Sequence, residues 1–287
     1  MRLTPEQLEL LPTDEDVAFY REHGYYVSGK IFSEEEIDDF AFGSERYYAG
    51  ERDFCLPPSV KAFEGWKPED GESLRINDYV SLQNSALSEL VRHPLIGAIA
   101  ARLSGSPSIR LWHDQMIYKP VAEVSRETGI GWHTDRAYWM TCASVEMLTA
   151  WIPFHDCDET MGTLMVIDES HQWSGDAPIK GFHAKDESGQ ACNFEIDGRA
   201  VKRVPLNLKK GQVSFHHCKT IHGSEPNRSD KPRLSLSVHL QDATNRYREH
   251  KLPNGETAWH RNDMLCRIDG GRPDYADPDF CPTLWSV

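Results

Sequence analysis

The stretch Arg233-Leu-Ser-Leu-Ser-Val-His-Leu-Gln241 decides the fold class, because apolar and polar side chains alternate along its whole length. Alternate residues of a β-strand point to opposite faces of a sheet. The leucines and the valine therefore predict a buried face, while Arg233 and the residues of the same parity form a polar face. The sequence also predicts short strands with no helices between them, at 108–118, 144–154, 162–167 and 211–217. Such a series is typical of an all-β sandwich or barrel.

Helix signals dominate the first hundred residues. Thr13 can cap a helix that stops at Gly24, and Ser33 begins a second helix with a capping box. A third helical pattern runs from about 88 to 103, with a break at Pro94. The sequence therefore predicts a mainly β core with flanking α-helices.

The composition disfavours nucleic acid and membranes as partners. The 287 residues carry a formal net charge of −14, and the sequence pI is near 5.4. No apolar run approaches the about 18 residues that a membrane span needs. The seven cysteines are odd in number and contain no Cys-x-x-Cys pair, and the first residues lack an apolar signal core. We therefore expect a protein of the reducing cytoplasm.

The triplet His133-Thr134-Asp135 and the distant His222 predict a metal site. If the triplet is extended, His133 and Asp135 share one face of a strand. Two histidines and one carboxylate can occupy one face of an octahedron and leave the opposite face open. This 2-His-1-carboxylate arrangement is typical of non-haem Fe(II) oxygenases.

Residues that follow His222 strengthen this interpretation, because a His-x-Asp pair alone is common. Ser224 and Arg233 come soon after His222, and an arginine can bind a carboxylate through two parallel hydrogen bonds. His216 and His217 are alternative distal ligands, but neither has a serine and an arginine at the same spacing. We therefore favour His222 as the ligand and expect His217 to lie near the site.

The chain resembles the phytanoyl-CoA dioxygenase (PhyH) branch of the Fe(II)- and 2-oxoglutarate-dependent oxygenases over roughly residues 14–242. Three further segments carry the resemblance: Arg75-Ile-Asn-Asp-Tyr79, Gln115-Met-Ile-Tyr-Lys-Pro120, and Met161–Ile167 with the Glu169-Ser-His171 that follows. In the last segment, Asp168-Glu169 replaces the family's usual Pro-Gly.

The resemblance implies roles for particular residues. His133, Asp135 and His222 would bind Fe(II), and Arg233 and Ser224 would hold the distal carboxylate of the co-substrate 2-oxoglutarate, with O2 as the oxidant. Further residues are expected near the co-substrate: Trp151, Gln115 and Arg75. The implied fold is a double-stranded β-helix, a cupin-like jelly roll.

The resemblance also organises the chain as a single oxygenase domain over 1–287. N-terminal helical support would cover about 1–105, and the jelly-roll core about 106–242. An insertion at 173–203 and a C-terminal tail at 243–287 would complete it. The tail would either cover the entrance of the site or form a dimer contact, so the protein is expected to be a monomer or a homodimer.

The implied activity is oxidation of an unactivated C–H bond of a small-molecule metabolite, with release of succinate and CO2. Hydroxylation is the simplest outcome, and cyclisation, desaturation or epoxidation in a secondary-metabolite pathway is the alternative. Halogenation is disfavoured because Asp135 is present. A cupin-type metal protein without O2 chemistry would have no use for Ser224 and Arg233, and a catalytically silent binding protein would be expected to have lost a ligand.

Substrate contacts are predicted from aromatic residues near the ligand pair. Trp132, Tyr138 and Trp139 can line the pocket, or they can be packing aromatics near the mouth of a barrel. Trp173 begins the insertion and can close over the site.

Overall fold

The computed structural model describes residues 2–57, 66–121, 128–173 and 201–287. Most of the expected insertion, 174–200, lies outside the described residues. The described part of the chain contains six α-helices: α1 Pro5–Leu8, α2 Asp14–His23, α3 Glu34–Tyr48, α4 Ser85–Val91, α5 Pro94–Ser104 and α6 Asn262–Leu265. In the described ranges, none is both long and apolar enough to cross a membrane.

The predicted helix ends are confirmed by their caps. The Thr13 side chain accepts a hydrogen bond from the backbone of α2, and Gly24 ends this helix with φ of +80°. Ser33 forms a capping box at the start of α3. The third predicted helical segment, 88–103, is divided into α4 and α5, and α5 begins at Pro94. Helix α4 begins earlier than expected because Asn84 caps it.

Thirteen short strands are described: β1 Tyr25–Lys30, β2 Arg75–Asp78, β3 Ser108–Lys119, β4 Ile130–His133, β5 Leu148–Pro153, β6 Met165–Ile167, β7 Arg203–Pro205, β8 Gln212–His217, β9 His222–Ser224, β10 Arg233–Asp242, β11 Ile268–Asp269, β12 Arg272–Pro273 and β13 Thr283–Ser286. The large sheet has the order β1-β8-β5-β10-β3-β13, and β2 also pairs with β3. The small sheet has the order β4-β9-β6-β7, and all pairings are antiparallel.

Strand β10 lies inside the large sheet and is paired on both sides, with β5 and with β3. Its apolar face packs on the helices, and Leu236, Val238 and Leu240 are fully buried in that core. On the opposite face, Trp151 of the large sheet packs with Leu164 and Val166 near the small sheet. The two sheets and the outer helices form the expected jelly roll.

Some strands were not predicted. The N-terminal part, expected to be helical, also supplies β1 and β2 to the large sheet, and the tail supplies β13. These strands are short, and β1 contains the polar run Ser-Gly-Lys, so the sequence offers little alternation there. Pairing with neighbours in the sheet determines these strands more than local sequence does.

Glu169 stands where the family usually has glycine, and its backbone is strained as a result. It has φ of +60°, in the left-handed region, and its side chain is exposed. A side chain in this region costs about 1–2 kcal/mol relative to ordinary helical backbone. Glycine avoids this cost because it has no Cβ atom.

We expect Glu169→Gly to raise the free energy of unfolding by about 1 kcal/mol, because it removes this strain. Urea denaturation of the purified protein measures the effect. Glu159→Gly is the matched control, since Glu159 is exposed and has a negative φ, and it should destabilise slightly. A loss of stability in Glu169→Gly would contradict the explanation.

Candidate active site

Three side chains with metal-binding atoms meet between the sheets. His133 ends β4, His222 begins β9, and the two are register partners. Asp135 follows His133 by two residues and begins a short 3-10 turn, so the extended segment ends at Thr134. The Oδ1 atom of Asp135 lies 3.9 Å from His133 Nε2 and 3.6 Å from His222 Nε2. One ligand atom from each residue lies within 4.8 Å of the others.

Hydrogen bonds to backbone carbonyls fix the orientation of both histidines. His133 Nδ1 donates to the Gly131 carbonyl at 2.8 Å, and His222 Nδ1 donates to the Thr220 carbonyl at 3.0 Å. A carbonyl oxygen can only accept, so Nδ1 carries the proton and Nε2 keeps its lone pair. Burial, followed by the nearby His133 and His216, holds the pKa of His222 well below its usual range. Both Nε2 atoms are therefore ready to bind a cation.

The second oxygen of Asp135 is held from the large sheet. The Thr149 hydroxyl donates to Asp135 Oδ2 at 2.6 Å, and His216 Nε2 lies 3.3 Å from the same oxygen. Burial alone would raise the pKa of this carboxyl, but His222, His216 and His239 outweigh it and hold the pKa well below its usual range. Asp135 is therefore an ionised carboxylate, 6% exposed, with Oδ1 turned towards the two ligand histidines.

A row of directly opposite residues crosses the large sheet beneath Asp135. In register, His216 of β8 lies opposite Thr149 of β5, which lies opposite His239 of β10, which lies opposite His113 of β3. The expectation that His217 is the neighbour of the site is wrong. His217 lies 3.8 Å from exposed Glu146, and His216 takes the place beside Asp135. Neighbouring residues of a strand point to opposite faces, so only one of the pair can face the site.

A second charged group lies six residues further along β10 and β3. Arg233 of β10 is the register partner of Lys119 of β3, and both side chains are almost fully buried. Lys119 Nζ donates to Ser224 Oγ at 2.7 Å and to the Glu225 carbonyl at 2.6 Å. Arg233 donates to the Gly162 carbonyl, and its Nε has no partner.

These two cations lie in an environment that disfavours positive charge. Burial lowers the pKa of Arg233 to about 10. Burial, followed by repulsion from Arg233, lowers the pKa of Lys119 well below its usual range. Among the described residues, no carboxylate forms an ion pair with either. Two buried cations without an anionic partner fit an anionic ligand.

Lys119 is a site residue that the sequence alone did not assign. The only signal was the Lys-Pro pair that ends the strand, at the segment that resembles the family. Its position beside Arg233 depends on the pairing of β3 with β10.

A cavity of about 470 Å³ is lined by the three metal-binding side chains at one end and by Arg233 and Ser224 at the other. Lys119 lies behind Ser224 and contacts the cavity through that hydroxyl. Four other predicted residues line it: Gln115, Tyr138, Trp139 and Trp151. Arg233 lies 5.4 Å from the centre of the Trp151 ring. Gln115 donates a hydrogen bond to Asp78 Oδ1 at 2.8 Å, and Asp78 lines the same cavity.

Two expectations about the cavity are corrected by the structure. Arg75 does not line the described wall, because its neighbours Ile76 and Asp78 do and alternate residues face opposite ways. Its guanidinium instead lies over Trp66 at 3.9 Å and Tyr118 at 4.0 Å. Trp132 packs with Trp173 in a separate apolar cluster near the small sheet, outside the cavity wall described here.

The C-terminal tail contributes to the cavity in a way that no sequence pattern indicated. Trp259, His260 and Arg261 line it, close to Asp78 and Tyr79. This part of the tail forms part of the cavity wall.

A jelly roll that holds a 2-His-1-carboxylate group beside a buried cationic pair has the fold and site of a non-haem iron oxygenase. The family model for phytanoyl-CoA dioxygenase (PhyH) matches residues 20–235, and the chain belongs to this family. It is a non-haem Fe(II)- and 2-oxoglutarate-dependent dioxygenase, with Fe(II), 2-oxoglutarate and O2 as cofactors.

Relatives and solved structures agree with this membership. Peroxisomal phytanoyl-CoA dioxygenase of Rattus norvegicus is 26% identical over 243 residues, 80% of this chain and 68% of the relative. Ectoine dioxygenase of Bordetella bronchiseptica is 25% identical over 239 residues, 77% and 73% respectively. The crystal structure of the carbocyclase SnoK from nogalamycin biosynthesis superimposes with a TM-score of 0.69 at 24% identity, and covers 95% of this chain and 96% of that one. This last similarity shows the shared fold.

We expect Thr149→Val to weaken Fe(II) binding about 10–100-fold, because the ligand carboxylate loses the hydroxyl that orients it. Anaerobic titration with Fe(II), followed by counting bound metal, measures the affinity. Thr163→Val is the matched control, since the Thr163 hydroxyl is equally buried but donates to the Leu206 carbonyl. Equal Fe(II) affinity in both variants would show that Thr149 does not support the metal group.

Proposed function

We propose that this enzyme hydroxylates an unactivated C–H bond of a small-molecule metabolite at the site formed by His133, Asp135 and His222. The observation that carries the proposal is the pairing of two buried charges of opposite sign in one cavity. Asp135 is a buried carboxylate beside several imidazoles, and Arg233, with Lys119 as its register partner, is a buried cation. A divalent cation and a dicarboxylate would neutralise both.

Each protein group has a definite part in this proposal. His133 and His222 would bind Fe(II) through Nε2, and Asp135 through Oδ1. When bound, Fe(II) with 2-oxoglutarate supplies the activation of O2 that oxidises a C–H bond and releases succinate and CO2. Thr149 and His216 hold the other oxygen of Asp135, so the carboxylate keeps one orientation through the reaction.

The co-substrate would be oriented by the cationic end of the cavity. Arg233 and Ser224 would bind the distal carboxylate of 2-oxoglutarate, and Lys119 would hold Ser224 from behind and add a second positive charge. The apolar side chains Ile117, Ile130 and Leu164 line the same cavity and would exclude water from the carbon chain. Trp151 would pack beside Arg233.

The remaining expectations belong to the same proposal. A single oxygenase domain in the cytoplasm, acting as a monomer or homodimer on a small molecule, is the simplest form of the protein. Cyclisation, desaturation or epoxidation is the second candidate outcome. The cavity supports it as well as hydroxylation, because each reaction is an oxidation of a substrate held near the same metal group.

Product mass distinguishes hydroxylation from desaturation and cyclisation, whereas an epoxide also gains one oxygen atom and is identified by the structure of the product. We expect a metabolite that stimulates succinate release to gain one oxygen atom, with one succinate formed per product. Loss of two hydrogens without gain of oxygen would identify desaturation or cyclisation. Stimulated O2 uptake that is independent of 2-oxoglutarate would contradict the proposed function.

We expect Lys119→Met to weaken 2-oxoglutarate binding at least about tenfold, since Ser224 loses the group that orients it and the ligand loses the attraction of a buried positive charge. The same change should raise the melting temperature of the protein without 2-oxoglutarate, because it removes a buried and unneutralised charge. Stabilisation by added 2-oxoglutarate, followed by thermal unfolding, measures both effects. Lys231→Met is the control, because Lys231 is exposed. An unchanged response to 2-oxoglutarate would place the carboxylate site elsewhere.

A further inference from the structure

The tail forms part of the cavity beyond the stretch that the family model matches. That match ends at residue 235, whereas Trp259, His260 and Arg261 line the cavity. These three residues lie beside Asp78 and Tyr79, at the opposite end of the cavity from Arg233 and Ser224. This segment, residues 259–261, is called the tail wall below.

Buried hydrogen bonds hold the tail wall in place. Asn262 accepts from the Tyr79 hydroxyl at 2.5 Å and donates to the Trp112 carbonyl at 2.6 Å. The His260 ring stacks on Trp112, with 4.5 Å between ring centres. Tyr79 itself has φ of +58°, a strained backbone that is kept beside the cavity. The tail wall is therefore a preformed surface.

The imidazoles of the cavity present one donor and one acceptor. His260 Nδ1 accepts from the backbone N–H of Asn262 at 3.2 Å, so its Nε2 carries the proton of the neutral ring. His239 Nδ1 lies 2.8 Å from Thr149 Oγ1, whose own proton goes to Asp135. The hydroxyl therefore accepts from His239 Nδ1, and His239 Nε2 keeps its lone pair. Both rings line the cavity, on either side of His113.

The charged groups at this end of the cavity neutralise each other. Asp78 accepts from Gln115 on Oδ1 and forms an ion pair with Arg261 through Oδ2. In the described wall, apart from the metal group and Arg233, these two residues are the only ones with formal charge. Burial keeps the pKa of His113 at about 4 and that of His260 well below its usual range, so the imidazoles add no charge.

We propose that the tail wall selects an uncharged ring compound that carries hydroxyl groups, with His260 as a specificity-determining residue. A hydroxyl group donates one hydrogen bond and accepts others, which matches an N–H on His260 and a lone pair on His239. Tyr138, Trp139 and Trp259 supply aromatic faces for the C–H surface of a ring. The indole of Trp259 is 65% exposed and so is free to cover a ligand. The inference rests on the proposed function of the same site.

Three probes that share one ring and differ in charge test the inference. Methyl glucoside is uncharged, glucuronate carries a carboxylate, and glucosamine carries an ammonium group. Each is added without O2 to the complex of enzyme, Fe(II) and 2-oxoglutarate, and the change in visible absorption gives the half-saturating concentration. We expect methyl glucoside to act at a concentration about tenfold lower than either charged probe, because a charged group would be buried without a partner.

The His260→Phe variant tests the residue itself. We expect the half-saturating concentration of methyl glucoside to rise about tenfold, because one hydrogen bond is lost while the aromatic ring remains. His250→Phe is the matched control, since His250 lies in the same tail but not among the cavity-lining residues. The comparison of the three probes on the unmodified enzyme does not depend on how the variant folds.

The possible failures are distinguishable. If the complex with Fe(II) and 2-oxoglutarate does not form, the proposed function fails, and this inference fails with it. If the complex forms but methyl glucoside has no effect, or a charged probe acts at an equal or lower concentration, the substrate class is wrong. If His260→Phe, with a normal melting temperature, responds as the unmodified enzyme does, His260 does not determine specificity.

Discussion

The buried carboxylate of Asp135 is the interaction on which the rest of the site depends. An ionised group that is 6% exposed costs free energy unless other groups stabilise it. The protein supplies a hydroxyl from Thr149 and several imidazoles, but no lysine or arginine contacts this carboxylate in the described residues. Its Oδ1 atom and the Nε2 atoms of His133 and His222 lie together, and these three donors suit a divalent cation. Strands from both sheets meet at this group, so the jelly roll determines where the carboxylate lies.

The opposite imbalance lies at the other end of the same cavity. Arg233 and Lys119 are register partners on adjacent strands, so their charges are held close together by the pairing of β10 with β3. Hydrogen bonds to Ser224, Glu225 and Gly162 occupy some of their donors, and Arg233 Nε remains without a partner. A protein with the buried anion Asp135 and the buried cation Arg233 in one cavity gains stability when a metal ion and a dicarboxylate bind together.

The sequence predicted the parts of the site that follow from spacing. His133, Asp135, His222 and Arg233 carry their signal in the intervals between them, and the structure brings all four into one cavity. The sequence did not show which of His216 and His217 faces the site. Strand β8 is buried on both faces, so its apolar and polar residues do not alternate. The prediction that Arg75 lies near the co-substrate was wrong because Arg75 points to the opposite face of β2 from Ile76 and Asp78, which line the cavity. The tail wall has no periodicity, and its place at the cavity depends on distant contacts such as that of Asn262 with Tyr79.

The decisive measurement is an anaerobic titration of the metal-free protein with Fe(II) and 2-oxoglutarate, because the chelate has a weak visible charge-transfer band. We expect the band to appear only when both are present, to saturate at about one Fe(II) per chain for a single three-residue metal group, and to be lost in Asp135→Ala. Iron that binds tightly without producing the band on addition of 2-oxoglutarate would exclude this site for the co-substrate. It would favour a cupin-type metal protein without O2 chemistry.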